Sequence, residues 1–175
     1  MELLVVGSVA YDSVETSAGK RDDMLGGSAT HFSLASALFT NPGLVAVVGK
    51  DFRDKDLTLL REHGVELSGL TTANGPTFRW GGRYHEDMNG RDTLFTQLNV
   101  FESFEPQLQP LHQDASLVFL ANIHPSLQQQ VLDQVKSPGF VALDTMNLWI
   151  DIAKEELTSV LKSVDGLFIN DEEIR

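Results

Sequence analysis

The sequence predicts an α/β fold, with a mostly parallel sheet flanked by helices and a small antiparallel sheet standing outside it. Two observations support this prediction. Short apolar runs that end at Gly, Asp or Asn alternate with segments of helical spacing, which is typical of a parallel sheet covered on both faces. Residues 70–101 instead alternate apolar and polar side chains, as strands with one exposed face do.

The main sheet is predicted from five buried runs and the helices between them. The first run, Leu3 to Val6, ends at Gly7. The predicted strands are 3–6, 44–48, 117–121, 140–143 and 166–169, and the predicted helices are 28–39, 57–63, 125–135 and 152–164. Residues 171–175 resemble an acidic first turn of a helix. One turn cannot cover the strand before it, so we expect the sheet to continue in a larger protein.

The alternating segment predicts a separate small sheet. Thr77 to Trp80 and Thr93 to Val100 alternate in polarity, and Asn74-Gly75 and Asn89-Gly90 are suited to tight turns because they tolerate positive φ. We therefore expect an α/β core of residues 1–69 and 102–175, incomplete at its C-terminus. Residues 70–101 form the small sheet, with a contribution from residues 12–25.

Composition excludes several classes of function. The 175 residues carry a formal net charge of −12, from 25 acidic and 13 basic residues, so the surface repels nucleic acid and anionic membranes. There are no cysteines, which excludes disulfides and thiolate metal sites. The N-terminus is acidic where a signal peptide is basic, and no apolar run approaches the ~20 residues that span a bilayer. We expect a cytoplasmic protein.

Polar residues follow the predicted strands, at the edge where open parallel sheets bind ligands. Each of them is also an ordinary turn or N-cap residue when taken alone. An ionised Asp12 could accept two hydrogen bonds from vicinal hydroxyls, and Gly26-Gly27 would let a ligand approach a helix N-terminus. The strand-end residues are Asp12, Asn122, Asp144 with Asn147, and Asn170 with Glu173.

Four motifs resemble the PfkB carbohydrate kinase family, which includes ribokinase, adenosine kinase and fructokinase-like enzymes. They are Gly7 to Asp12, Gly26 to His31, Val48 to Asp51, and Asn170 to Glu173. The resemblance runs along the whole chain but covers only the first half or so of a complete member. It implies a ribokinase-like fold and an ATP-dependent kinase for a sugar or nucleoside.

The resemblance also implies roles for individual residues. The implied acceptor-binding residues are Asp12, Gly26, Gly27, His31 and Arg79, with Trp80 and Tyr84 as further lid candidates. The implied phosphate and Mg²⁺ region is Asn170, Glu173, Asp144 and Asn147, with Glu173 holding Mg²⁺ through water. Residues 70–101 would complete a lid that closes over the substrate and excludes water. Several relatives dimerise through such lids, so a homodimer is a further expectation.

Three departures from the family pattern qualify these roles. His31 stands where the family commonly has Asn, and Phe52 to Lys55 lack the glycine that usually follows the Val48-Gly49-Lys50-Asp51 motif. Residues 101–175 contain no match to the family's second signature, a Gly-Ala-Gly-Asp-like loop with the catalytic base and anion hole. We therefore expect the catalytic residues to lie beyond Arg175, and these 175 residues alone to be inactive.

Three alternatives were weighed against the kinase. A non-catalytic sugar- or nucleoside-binding module remains open. A dinucleotide-dependent oxidoreductase is disfavoured because the glycine fingerprint after the first strand is absent. A metal hydrolase is disfavoured because the five histidines show no ligand spacing. These histidines are His31, His63, His85, His112 and His124.

Overall fold

The computed structural model describes residues 1–86, 88 and 90–174 and contains two sheets. The strands are β1 Leu3–Val6, β2 Ala10–Thr16, β3 Gly19–Gly26, β4 Gly43–Gly49, β5 Leu70–Ala73, β6 Phe78–Tyr84, β7 Arg91–Gln97, β8 Leu117–Leu120, β9 Phe140–Asp144 and β10 Gly166–Phe168. The helices are α1 Ser28–Ser36, α2 Asp54–Glu62, α3 Pro110–Gln113, α4 Pro125–Leu132, α5 Asn147–Ile152 and α6 Lys154–Leu161, with a 3₁₀ turn at Asn99–Ser103.

The larger sheet has six parallel strands in the order β10-β9-β8-β1-β4-β5. Its central strand β1 is buried on both faces because alternate side chains enter different cores. Leu4 and Val6 pack in one core with residues of α4 and α6, whereas Leu3 and Val5 pack in the other with residues of α1 and α2. Helices therefore cover both faces, and the predicted α/β fold is confirmed.

The smaller sheet has four strands in the order β3-β2-β6-β7. The chain enters it directly after β1, because only residues 7–9 separate β1 from β2. β2 runs antiparallel to β3 and parallel to β6, and β6 runs antiparallel to β7, so the small sheet is mixed and not antiparallel as predicted. The small sheet is thus an outgrowth at the carboxyl end of the central strand, where open parallel sheets bind ligands.

Residues 70–73 differ from the expected division of the chain. They form β5 and pair with β4 at the edge of the larger sheet, and the small sheet takes residues 78–97 together with residues 10–26. An edge strand of the larger sheet with one covered face alternates in polarity, and so does a strand of the small sheet. The sequence pattern therefore could not tell which sheet these residues join. Asn74 and Gly75 lie in the connection to β6, and the predicted turn at Asn89 lies outside the described residues.

All four predicted helices have different bounds, and the third ends at Leu132 rather than at residue 135. The first ends at Ser36, because Leu38 and Phe39 have no core to pack on and are 78% and 90% exposed. The second begins at Asp54 rather than Leu57, with two acidic residues in its first turn. The predicted helix 152–164 corresponds to α6, and a separate helix that was not predicted, α5, comes directly before it. The two helices meet at Ala153, whose φ of −132° and ψ of 35° interrupt the helical backbone.

Within the described residues, no helix combines the length and apolarity needed to cross a bilayer.

Candidate functional site

Asp12 lies on β2, beside an irregularity in the pairing of β2 with β3. The register shifts between Asp12 and Val14, and such bulges redirect neighbouring side chains. Burial raises the pKa of the Asp12 carboxyl, while a hydrogen bond from the Gly27 N–H and the charge of His31 oppose that rise. The side chain is therefore a partly buried acceptor at the point where β2 meets the N-terminus of α1.

Gly26 and Gly27 are required by close approach at this point. A Cβ at Gly26 would overlap the carboxyl group of Asp12, so the Asp12 side chain would have to move. Gly27 has φ of 93°, a left-handed conformation, and its Cβ would lie 2.4 Å from the carbonyl oxygen of Ser8. The pair thus lets Asp12 approach the first amides of α1.

Ser8 replaces the missing side-chain cap of α1. Its hydroxyl accepts a hydrogen bond from the Ser28 N–H at 3.1 Å, and its carbonyl oxygen accepts one from the Ala29 N–H at 3.1 Å. Two of the free amides at the helix start are thereby satisfied by the loop after β1. The loop, α1 and Asp12 form one rigid corner.

His31 is exposed on α1, although a lone histidine in an apolar helix is more often packed. Its charge acts on Asp12, which places both predicted residues at the same corner. Arg79 lies opposite Tyr11, the residue before Asp12, but its guanidinium is already paired with two carboxylates. Its guanidinium donates to Asp23 and, from Nη2, to Oδ2 of Asp51 at 2.9 Å.

Asp144 ends β9 on the other side of the sheet's binding edge. Burial raises the pKa of its carboxyl to about 6, with a further rise from the negative charge of Glu173, against hydrogen bonds from the N–H groups of Thr145 and Asn122. With Leu167, Phe168, Ile169, Asn170 and Glu173, it lines an open depression of about 370 Å³. The structure thus brings three of the four predicted phosphate-side residues together.

Asn170 and Glu173 hold each other in a reciprocal cap. Oδ1 of Asn170 accepts from the N–H of Glu173 at 2.9 Å, and Oε2 of Glu173 accepts from the N–H of Asn170 at 3.0 Å. This is the bonding pattern of a capping box. Asn147, by contrast, is exposed at the start of α5 and does not line the depression.

The donor set on this side suits a partly hydrated Mg²⁺ and not a protein-built cage. Among residues 1–86, 88 and 90–174, no three His, Cys, Asp or Glu side chains cluster as a metal site. Mg²⁺ in phosphoryl-transfer sites is held by one or two carboxylates, with phosphate oxygens and water completing the shell. The close Asp144 and Glu173 carboxylates match that requirement, because a cation would relieve their mutual repulsion.

Asn122, after β8, connects the two sides of the edge. Its backbone carbonyl accepts from the Ser28 hydroxyl at 3.3 Å, its N–H donates to Asp144, and its Oδ1 accepts from Nε1 of Trp149 at 2.8 Å. The sequence pattern marked Asn122 as a strand-end residue without a role. Nothing in the spacing indicated Trp149. Because its indole N–H donates to the amide oxygen of Asn122, the NH₂ group of Asn122 is turned away from the indole.

Comparisons with known proteins were made by sequence and by structure. No family model matches the chain. A cytidine kinase of Thermococcus kodakarensis is 28% identical over 138 residues, which are 78% of this chain and 49% of that protein. The chain therefore spans about half the length of this curated relative.

Solved structures match almost the whole chain. A Methanocaldococcus jannaschii nucleoside kinase, described as an archaeal member of the ribokinase family, gives a TM-score of 0.76 at 19% identity, over 99% of this chain and 62% of that one. Thermotoga maritima ribokinase gives 0.71 at 16% identity, over 99% and 61%. An E. coli protein solved with ATP and Mg²⁺ gives 0.78 at 15% identity, over 99% and 63%. The similarity to ribokinase-like proteins is thus confirmed in three dimensions, and the chain has the ribokinase-like fold.

Proposed function

We propose that this chain is the acceptor-binding part of an ATP-dependent kinase that phosphorylates an alcohol group of a sugar or nucleoside. The observation that carries the proposal is the corner formed by Asp12, Gly26 and Gly27, where a partly buried carboxylate accepts a hydrogen bond from the Gly27 N–H beside the start of α1. The fold and the similarity to a cytidine kinase support the same reading.

In this proposal the acceptor lies between the two sides of the binding edge. The Asp12 carboxylate accepts hydrogen bonds from the acceptor's hydroxyls, and the exposed imidazole of His31 orients the acceptor. The small sheet excludes water above it. ATP with Mg²⁺ would supply the phosphoryl group, and Asp144, Asn170 and Glu173 would hold the cation and phosphates from the other side.

The binding step is tested with a matched pair of carboxylate variants on β2 and β3. Asp12→Asn removes the proposed acceptor contact, whereas Asp22→Asn changes a carboxyl that is paired with Lys20 on the exposed strand β3. Hydrogen bonds to a charged group contribute about 1.5–3 kcal/mol, so we expect Asp12→Asn to weaken cytidine or ribose binding roughly 10- to 100-fold. Calorimetric titration measures this loss, and equal affinities of the two variants would refute the assignment.

We also propose that the 175 residues bind the acceptor without phosphorylating it. Residues 101–175 offer no loop resembling the family's base and anion hole, and losing one oxyanion donor alone typically costs ~10²–10³ in rate. Incubation with ATP, Mg²⁺ and cytidine or ribose should therefore give no phosphorylated product, and turnover would contradict the proposal. Binding without transfer in the longest natural form of the protein would favour the alternative, a non-catalytic binding module.

Two finer proposals concern assembly and location. Strand β7 is exposed along its whole length and presents Leu94 and Phe95 at the edge of the small sheet, which suits a homodimer through the lid. Sedimentation of wild type and Leu94→Lys distinguishes dimer from monomer. We further propose a cytoplasmic protein, in keeping with an acidic N-terminus and a sequence without cysteine.

A further inference from the structure

We propose that Asp51 and Arg79 form a clasp that holds the small sheet in position above the main sheet, so that both act as positioning residues for Asp12. The inference rests on the proposed function for its ligand. The clasp itself has a readout that needs no ligand.

Arg79 reaches carboxylates from two different sheets. One guanidinium nitrogen, Nη1, pairs with Asp23 on β3, which belongs to the small sheet as Arg79 does. The other, Nη2, lies 2.9 Å from Oδ2 of Asp51 in the turn after β4, a strand of the main sheet. The first contact ties the small sheet to itself, and the second ties it to the core.

The second carboxylate oxygen of Asp51 binds Thr77, the residue directly before β6. Oδ1 accepts from the backbone N–H and the hydroxyl of Thr77, both at 2.7 Å. The Thr77 hydroxyl oxygen in turn accepts from the Gly49 N–H at 3.0 Å, and Thr77 is fully buried. Burial would raise the pKa of Asp51, but the bonds from Thr77 and Arg79 outweigh it and lower the pKa, so the carboxylate is charged at neutral pH.

The clasp is connected to Asp12 through the pairing of β2 with β6. Tyr11 pairs with Arg79 and Asp12 pairs with Trp80 in this register. The Tyr11 hydroxyl is fixed to the core by donating to Asp56 at 2.9 Å, and the Arg79 guanidinium lies 5.3 Å from the centre of its ring. A shift of β6 would therefore move the strand that carries Asp12.

The size of the expected effect follows from the number of bonds on one carboxylate. A single exposed ion pair contributes little, because solvent screens it. Asp51 instead receives three charge-assisted hydrogen bonds, which are about twice as strong as neutral ones, and two of them come from buried Thr77. Asparagine at this position keeps an oxygen for Thr77 but presents a neutral amide to Arg79. We expect roughly a tenfold loss of acceptor affinity.

The experiment compares Asp51→Asn with Asp23→Asn in the full chain, since each variant removes one of the two carboxylates that Arg79 contacts. Calorimetry with cytidine as the probe should give about tenfold weaker binding for Asp51→Asn and less than threefold for Asp23→Asn. Hydrogen exchange without ligand should be at least tenfold faster at the amides of β2 and β6 in Asp51→Asn, and unchanged in β1 and β8. A general loss of stability would raise exchange in both sheets.

Other outcomes overturn the clasp. It fails if Asp51→Asn leaves exchange in β2 and β6 at the wild-type rate, or if Asp23→Asn has the same effect as Asp51→Asn. Should Asp51→Asn not fold, Arg79→Gln tests the same contact and must reproduce the selective exchange in β2 and β6. Wild-type protein that binds neither cytidine nor ribose would contradict the proposed function, and the exchange result without ligand would still decide the clasp.

Discussion

Replacing Asp144 by Asn should stabilise the protein at neutral pH and leave it unchanged in acid. Burial and the nearby Glu173 raise the pKa of this carboxyl from 3.8 to about 6. Because the folded-state pKa lies above the unfolded-state value, ionising the carboxyl is harder in the folded protein. The wild type therefore loses stability between about pH 4 and 6, and the loss is complete above that range.

The magnitude follows from the shift of about two pKa units. At 1.36 kcal/mol per unit, full burial would give a penalty of about 3 kcal/mol. The carboxyl is only partly buried, so solvent screening reduces this to about 1–2 kcal/mol. An asparagine keeps an oxygen that can accept from the N–H groups of Thr145 and Asn122, so little is lost on substitution.

Urea unfolding of wild type and Asp144→Asn at several values between pH 4 and 7.5 measures the difference. We expect a gain near zero at pH 4 that rises to about 1–2 kcal/mol at pH 7. Glu173→Gln should recover part of the gain, because it removes the second cause of the shift, and Asp151→Asn on exposed α5 should recover none. A difference that does not change with pH, or a loss at every pH, would refute the reasoning.

Two further substitutions test the corner at α1 and the partly buried pair of Glu66 and His112. Gly26→Ala should abolish acceptor binding and lower the free energy of unfolding by about 1–3 kcal/mol, because its Cβ would overlap Asp12. Gly139→Ala is the control and should do neither, because its Cβ would meet its nearest atom at 3.5 Å. Calorimetric titration measures the binding, and the melting temperature measures the stability. Glu66→Gln should lose about 1 kcal/mol at pH 7. Burial would raise the pKa of Glu66, but hydrogen bonds from Ser68 and fully buried His112 lower it. The stabilisation by the Glu66 carboxylate therefore disappears as the pH falls below about 4.5. Urea unfolding that shows the same loss of stability in Glu66→Gln at pH 4 and pH 7 would contradict this.

Much of the main sheet could be predicted because its strands are buried on both faces. Continuous apolar runs such as Leu3 to Val6 have no other stable environment in a chain of this size, and each predicted run became a parallel strand. The partition of residues 70–101 was harder. An edge strand of the main sheet and a strand of the small sheet both have one exposed face, so Leu70 to Ala73 gave no local signal of which neighbour they pair with.

The site was predictable where one residue type is obligatory and unpredictable where partners are distant in sequence. Gly26 and Gly27 stood out because only glycine permits their contacts. The two ion pairs of Arg79 join residues 28 and 56 positions apart, and no periodicity encodes such contacts. Helix α5 was not predicted, and the predicted helix began at residue 152, across the break between α5 and α6. The break occurs at buried Ala153, an excellent helix former, so tertiary packing and not local preference ends the helix there.

The direction of the pKa shifts divides the carboxylates into two groups. Asp22, Asp51 and Glu66 have lowered pKa values because Lys20, Arg79 or His112 and neighbouring hydroxyls stabilise their charge. Asp12 and Asp144 have raised values because burial is not offset by an Arg or Lys in the part of the chain that the structure describes. Both lie at the carboxyl edge of the sheet, one on each side of Asn122. Carboxyl groups with perturbed pKa values cluster at functional sites, so in the proposed function hydroxyl hydrogens would offset the cost of burying Asp12 and a cation would offset that of Asp144.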